Sequence, residues 1–468
     1  MFFNFQIHKI NARGKTMKVD FSREVGDFKH LNCINMGPII SNVYTYELTK
    51  AYYKKINAAA VRLHDVPLNN PGMRLVDIHQ IFGNFDADEN DERNYYFEQT
   101  DDYIKECLDL GMEICYRLGE SIEHGLRKYF AHPPKDFAKW ARICSHIVAH
   151  YNEGWANGFH WNIKYWIVWC EPNEWKLWSG TTEEYYELYK VTATLLKKEH
   201  PDIKIGGPAW GGGGYTPEKM EDFIKYCSEN KLPLDVFTWN QYHTLVPFML
   251  ETAHKFKDMA IQYGYPDAEL QIGEWHYLSR TWRAIKTPDT APDVADPIYG
   301  MQGIESAAYT TSVMMGFEDT PLSKAFFYTG NCGVFGMLDK NRNPTKLYYG
   351  LEAYGTLMRY PRRVFAEPDI LSQQLQHDLA SQKGDCMILA GKNEAGDCAI
   401  LISYMFSIDI EFQVEIPGLE DYDVQVRVVD KDKDMDNAVY TRRGDKLTIR
   451  KQSYCAIYLI ELFRKIKP

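Results

Sequence analysis

Tyr165-Trp166-Ile167-Val168-Trp169-Cys170-Glu171-Pro172-Asn173 is an apolar, partly β-branched run that halts at a carboxylate and a proline, and an amphipathic segment, 182–199, follows it. The run has strand composition and the segment has the helical period, so together they read as one βα unit. Proline has no amide hydrogen for a sheet ladder, so the strand is expected to end here with Glu171 at its C-terminal tip. Working outward, the same alternation extends from about residue 31 to 360. Strands are predicted at 31–36, 59–64, 113–118, 165–170, 204–207, 235–242, 269–275 and 324–329, with further helices at 217–229 and 345–358. Eight such units in series predict a (β/α)8 TIM barrel over 31–361, because a right-handed crossover after every strand closes the sheet on itself. A doubly wound open sheet is the rival arrangement.

Beyond residue 361 the helical period is lost. Strand-like runs at 386–392, 398–410, 422–430 and 446–462 alternate with turn-rich segments, which predicts an accessory β-sandwich domain over 362–468. Residues 1–30 hold two more runs, 3–10 and 16–21, expected to join that sandwich. Two long stretches, 66–98 and 278–301, follow the second and seventh barrel strands. Segments in those places build the active-site face of a barrel, so both are expected to wall a substrate cleft.

The chain has 468 residues, 45% hydrophobic and 14% aromatic, enough for a large core and a second module. Its net charge of −11 opposes a sequence-independent hold on nucleic acid, which needs clustered Lys and Arg. No run of about 18 apolar residues predicts a membrane span. The first residues lack the pattern of a signal peptide, and the ten cysteines show no CxxC pair, so a cytoplasmic protein with reduced thiols is expected.

Glu171 has a counterpart in Glu274, which ends the run Leu270-Gln271-Ile272-Gly273 and precedes Trp275 and His276. Two carboxylates at two strand ends suit a retaining glycosidase: one protonates the leaving oxygen, the other attacks the anomeric carbon. As nucleophile Glu274 needs nearby hydrogen-bond donors, and Arg62 and Tyr242, at the ends of other predicted strands, are the candidates. Glu171 needs the opposite, an acid kept protonated, which the charge of Glu274 would favour. Trp169, Trp175 and Trp178 are expected to surround Glu171 with rings that stack on sugar. His64, His243 and His276 also fall at strand ends, where they would donate to sugar hydroxyls or serve as ordinary structural residues.

On these motifs the chain resembles glycoside hydrolase family 39 of clan A, which includes β-xylosidases and α-L-iduronidases. Val61-Arg62-Leu63-His64 is similar to the family's second-strand segment, Trp169 to Asn173 to its acid/base strand, and Gly206-Gly207-Pro208-Ala209 to its fifth strand. Glu274-Trp275 is similar to the nucleophile segment, and Gly336-Met337-Leu338 with Pro344-Thr345-Lys346 to the eighth βα unit. The resemblance implies Glu171 as acid/base and Glu274 as nucleophile, with Arg62, His64, Cys170, Asn173, Trp175, Tyr242, His243, Trp275 and His276 around the substrate. Two positions depart from it. Cys170 stands where the clan usually has an Asn that contacts the sugar 2-hydroxyl, and Phe327-Tyr328-Thr329 stands where many members present a Trp.

Other motifs carry less. The histidines lie on different strands without an HExxH spacing, which disfavours zinc, and this mechanism requires no metal or cofactor. The glycine run 206–214 lacks the Gly-Lys-Ser/Thr ending of a phosphate loop and is interrupted by Pro208, so it reads as a loop over the cleft. Asp430-Lys431-Asp432-Lys433-Asp434 reads as a solvated turn. The expected activity is retaining hydrolysis of a β-xyloside or related β-glycoside, with a glycoside or short oligosaccharide as partner. The alternatives are a barrel that binds carbohydrate without cleaving it, and an endo-acting or transglycosylating enzyme.

Overall fold

A computed structural model describes residues 15–40, 43–70, 73, 75–212, 216–278, 300–367, 385–405 and 411–466. Two compact units divide the chain, residues 29–356 and a second unit made of 1–28 with 357–468.

The first unit is a closed parallel barrel of eight strands. β1 (Lys15–Asp27) belongs to the other unit. The barrel strands are β2 (Cys33–Asn35), β3 (Ala60–Leu63), β4 (Glu113–Leu118), β5 (Tyr165–Val168), β6 (Lys204–Trp210), β7 (Val236–His243), β8 (Glu269–Tyr277) and β9 (Leu322–Phe327). β2 pairs with β9 and closes the ring, so the open doubly wound sheet is excluded. Between them run α1 (Val43–Ile56), the single turns α2 (Val66–Asn69) and α3 (Ile78–Ile81), α4 (Glu98–Asp109), α5 (Phe137–Asn152), α6 (Thr182–Glu199), α7 (Pro217–Glu229), α8 (Val246–Gln262), α9 (Ile304–Phe317) and α10 (Lys346–Leu357).

Local chemistry sets several of these starts. Thr181 and Glu184 form a reciprocal capping box at α6, and Thr216 caps α7 ahead of Pro217. α9 is buried on nearly every side, which is why no amphipathic stripe marks it in the sequence. The barrel interior is filled by modest side chains, among them Cys33, Ala60, Cys115, Ile167, Val236 and Phe326. At its N-terminal end Tyr165 donates to Glu269 at 2.9 Å and Lys324 to Glu113 at 2.5 Å, so that end is plugged by satisfied polar pairs.

The second unit is one ten-stranded, mostly antiparallel sheet that curls into a sandwich, in the order β15-β14-β18-β12-β11-β10-β1-β13-β17-β16. Here β10 is Arg362–Glu367, β11 Asp385–Lys392, β12 Cys398–Met405, β13 Glu411–Glu415, β14 Tyr422–Val429, β15 Asp434–Asn437, β16 Tyr440–Arg443, β17 Lys446–Arg450 and β18 Ala456–Arg464. Phe412 of β13 meets Tyr404 of β12 and Tyr458 of β18 at 5.2 and 5.0 Å between ring centres, although β13 is not their neighbour in the sheet. The two halves therefore face each other across a shared apolar core.

Several expectations are corrected. The run 446–462 is two strands, because the chain turns at 451–455 to leave β13 and β16 and join β12 and β14, and the buried Lys451 ammonium holds that turn by donating to the Ser453 carbonyl. The strand before Glu171 stops at Val168, two residues earlier than Pro172 required, because Trp169 and Glu171 take left-handed backbone, with φ of 68° and 43°. Residues 66–98 carry α2, α3 and a 3₁₀ turn at Glu92–Asn94 instead of an irregular loop. Most of 278–301, the run 3–10 and Gly213 and Gly214 lie outside the described residues. Among the described residues no helix is long and apolar enough to cross a membrane.

Candidate active site

Glu171 and Glu274 stand at the C-terminal mouth of the barrel, after β5 and within β8. Parallel strands alternate their side chains, so Glu274 points inward while its neighbour Trp275 points out, packing on Phe317 and Phe327 at 5.4 Å each. A bulge aims the carboxylate. The β7–β8 register slips at Gly273, which brings Glu274 level with Asn240. A side chain at Gly273 would meet Asn240 Oδ1 at 2.7 Å, so the bulge requires glycine there.

Glu274 is 5% exposed and surrounded by donors. Arg62 Nη1 donates to its Oε1 at 3.0 Å, the Cys170 thiol to the same oxygen at 3.4 Å, and the Tyr242 hydroxyl to Oε2 at 2.8 Å. His64 Nε2 lies 3.3 Å from Oε1 and 3.3 Å from Asp65 Oδ2. Arg117 Nε donates to His64 Nδ1 at 3.2 Å, and a guanidinium can only donate, so the ring proton belongs on Nε2, facing the carboxylates. Burial, then the charges of Arg62 and Arg117, hold the His64 pKa well below its usual value, and the ring is neutral. Burial pushes the Cys170 thiol and the Tyr242 hydroxyl well up, so both keep the protons they donate. This donor set matches a carboxylate anion.

Glu171 has the contrary setting. Asn240 Nδ2 donates to its Oε1 at 3.0 Å. Burial, then the negative charge of Glu274, push its pKa up to about 8, against the opposing hydrogen bond from Asn240. The acid form of Glu171 is thus favoured beside a second carboxylate that is held by donors. Gly211 makes room for the acid: a Cβ there would sit 1.7 Å from Glu171 Oε1. Asn173 does not face the cleft. Its amide donates to the Gly211 carbonyl at 2.7 Å and accepts from the Gly211 N–H at 3.0 Å, tying the β5 and β6 loops together.

The remaining residues are placed variously. Trp169 and Trp178 are buried against each other, with Trp140 beside Trp169, and each indole N–H donates to a backbone carbonyl, so neither ring is available to sugar. Trp175 is 54% exposed, with the Lys128 ammonium 4.2 Å from its ring centre. His243 stacks on Phe248 at 4.1 Å and accepts the Leu245 N–H, away from both carboxylates. His276 is buried against Phe327 and Phe335 and donates to the Tyr277 carbonyl at 2.7 Å.

The structure adds residues that the sequence does not single out. Asn35 accepts from Arg62 Nη1 at 3.1 Å. Asp65 accepts from the Ile122 N–H and the Tyr328 hydroxyl at 3.0 and 2.9 Å, and burial with the Glu274 charge raises its pKa to about 6. Phe335 reaches Tyr242, Tyr328 and His276 from the segment after β9. Only Asn240 had a legible signal, since it lies two residues before Tyr242 and so on the same strand face.

Two groups of side chains have metal-ligand spacing, His64 with Cys170 and Glu274, and Asp77 with His79 and Glu120. A guanidinium already pairs with one member of each group, Arg62 with Glu274 at 3.0 Å and Arg117 with Asp77 at 2.6 Å. A metal cation in either place would face that positive charge at close range, so the donor sets do not fit one.

The model of glycosyl hydrolases family 39 matches residues 23–377. A β-xylosidase of Geobacillus stearothermophilus is 27% identical over 250 residues, which are 48% of this chain and 47% of the relative, so the match spans about half its length. Among solved structures, a glucosidase from Croceicoccus marinus superposes with a TM-score of 0.76 at 18% identity, covering 97% of this chain and 99% of that one. A monomeric β-xylosidase from Caulobacter crescentus gives 0.71 at 13% identity, covering 97% and 100%. These superpositions share the barrel and sandwich architecture.

Proposed function

Because the chain belongs to glycosyl hydrolases family 39, we propose that it is a retaining glycosidase that cleaves a β-xyloside or related β-glycoside by double displacement. The observation that carries this reading is the divergent setting of the two carboxylates. Glu274 has donors on both oxygens, and Glu171, raised to about 8, holds a proton at neutral pH. In the first step Glu171 gives its proton to the glycosidic oxygen as the bond to the anomeric carbon breaks. A Glu274 oxygen attacks that carbon and forms a glycosyl ester. Glycosylation removes the Glu274 charge, a main cause of the raised Glu171 pKa, so that pKa falls and the ionised Glu171 that can accept a proton is favoured. It then takes a proton from water as the water oxygen attacks the anomeric carbon and the bond from that carbon to Glu274 breaks, so the carboxylate is restored and the sugar leaves with its original configuration.

Arg62, His64 and Tyr242 orient and neutralise the nucleophile in this account, and Cys170 joins them. The Cys170 sulfur receives Arg62 Nη2 at 3.1 Å, so its polar capacity is spent inside the protein. Trp175 offers an exposed ring on the acid/base side. The xylose preference draws support from the β-xylosidase relative. Buried cysteines scattered singly along the sequence, such as Cys33, Cys115 and Cys227, support action on short oligosaccharides in a reducing compartment; cell fractionation that recovers the protein outside the cytoplasm would contradict it.

A panel of aryl β-D-xyloside, β-D-glucoside, β-D-galactoside, α-L-arabinoside and α-L-iduronide, run with Glu171→Ala and Glu274→Ala, tests the reading. Turnover of one glycone that collapses in both variants supports it. Turnover unaffected by Glu274→Ala, or silence across the panel, opposes it.

A further inference from the structure

Asn240 is fully buried on β7, on the strand face it shares with Tyr242. Its Nδ2 lies 3.0 Å from Glu171 Oε1 and 3.7 Å from Cys170 Sγ. Its Oδ1 has no hydrogen-bond partner and lies on the other side, beside Gly273, where the Arg62 guanidinium and the Thr238 hydroxyl also converge. The amide dipole is therefore set with its oxygen toward the positive charge and its hydrogens toward the acid. We propose that Asn240 is a positioning residue that decides which oxygen of Glu171 carries the catalytic proton. This rests on the glycosidase reading above.

The geometry assigns the proton by exclusion. A protonated carboxyl has one hydroxyl oxygen and one carbonyl oxygen, and an amide N–H can be accepted well only by the carbonyl oxygen. With Asn240 donating to Oε1, the proton sits on Oε2. During glycosylation the Oε2–H bond breaks and its proton passes to the glycosidic oxygen, while the bonding pair of the glycosidic bond leaves with the alcohol. During hydrolysis Oε2 takes the proton back from water. Oε1 keeps the same donor throughout, so the acid turns over without rotating its carboxyl group.

Other charged or titratable groups face Glu171: Cys170 beside it, Glu174 one turn on, Asp65 after β3, Tyr242 on β7, Glu274 on β8 and Tyr328 after β9. Among the described residues none of these groups donates a hydrogen bond to it. Asn240 is the one donor to its carboxylate among the described residues.

The test is a series of aryl β-D-xylosides with leaving groups from dinitrophenol to unsubstituted phenol, assayed with wild type, Asn240→Leu and Asn240→His. Proton donation matters least for the most acidic leaving group. Asn240→Leu should lower kcat/KM on the phenyl xyloside by about 10²-fold and on the dinitrophenyl xyloside by less than about threefold. KM should change little. Its alkaline limb should move to higher pH, because removing a donor to the carboxylate favours the protonated form. Asn240→His, which keeps an N–H, should restore most of the loss on poor leaving groups. A loss uniform across the series with an unmoved alkaline limb, or no loss at all, would overturn the proposal. Should Asn240→Leu fail to melt cooperatively, Asn240→Ala runs the same series under the same criteria. A wild type that cleaves no member of the series would instead remove the glycosidase reading, and the proposal with it.

Discussion

At the scale of single residues, the site depends on keeping Glu171 protonated beside the Glu274 carboxylate. Glu171, raised to about 8 by burial and by the Glu274 charge, is protonated below that pH and ionised above it. Activity on substrates that need an acid should therefore hold through neutrality and fall about tenfold per pH unit above about pH 8. A kcat/KM profile with its alkaline limb near pH 5 would contradict this. Glu171→Ala should lose turnover of poor leaving groups by about 10²-fold or more, and azide, entering the space left by the carboxylate, should restore rate and give a β-glycosyl azide. An α-azide would mean a single displacement. The carboxylates were legible because each ends an apolar run, one at a proline. Their supporting residues were not: Asp65 and Asn35 are ordinary polar residues at strand ends, and their roles arise from partners such as Tyr328 and Arg62, remote in sequence. The tryptophans misled for a related reason, since indoles that suit sugar also fill cores, as Trp169 and Trp178 do.

Among the elements, periodicity located all eight barrel strands and matched α6 and α7 to their end residues, because capping threonines mark both starts. What it missed lies at the strand ends nearest the chemistry. Left-handed Trp169 and Glu171, the β6–β7 irregularity at Ala209 and the Gly273 bulge all depart from regular strand geometry. Period-two patterning has no term for such breaks, and they are what aim the site. Gly211 offers a direct check at this scale. Gly211→Ala places a methyl 1.7 Å from Glu171 Oε1, so the acid must move. kcat/KM should fall by about 10²-fold, as for a misplacement of about 1 Å, with the melting temperature within a few degrees of wild type. Full activity in Gly211→Ala would show that the Glu171 position does not depend on that loop.

On the scale of the whole molecule, the first and last described strands, β1 and β18, belong to the same sheet. β1 lies between β10 and β13, so the strand that precedes the barrel joins two parts of the later sheet. Truncation to residues 29–468 should destabilise that unit by more than about 5 kcal/mol, the order of a small domain's entire stability. The check is limited proteolysis, with cleavage expected within 357–468. A truncated chain as resistant as the intact one would contradict the assigned role of β1. The central claim, double displacement on Glu274, is tested most directly by incubating the protein with 2-deoxy-2-fluoro-β-xylosyl fluoride and mapping the adduct by peptide mass spectrometry. The account predicts one fluoroxylosyl group per chain, esterified to Glu274, lost slowly with return of activity. An adduct on another residue, or β-xyloside turnover that gives the α-anomer first and traps no covalent species, would contradict it.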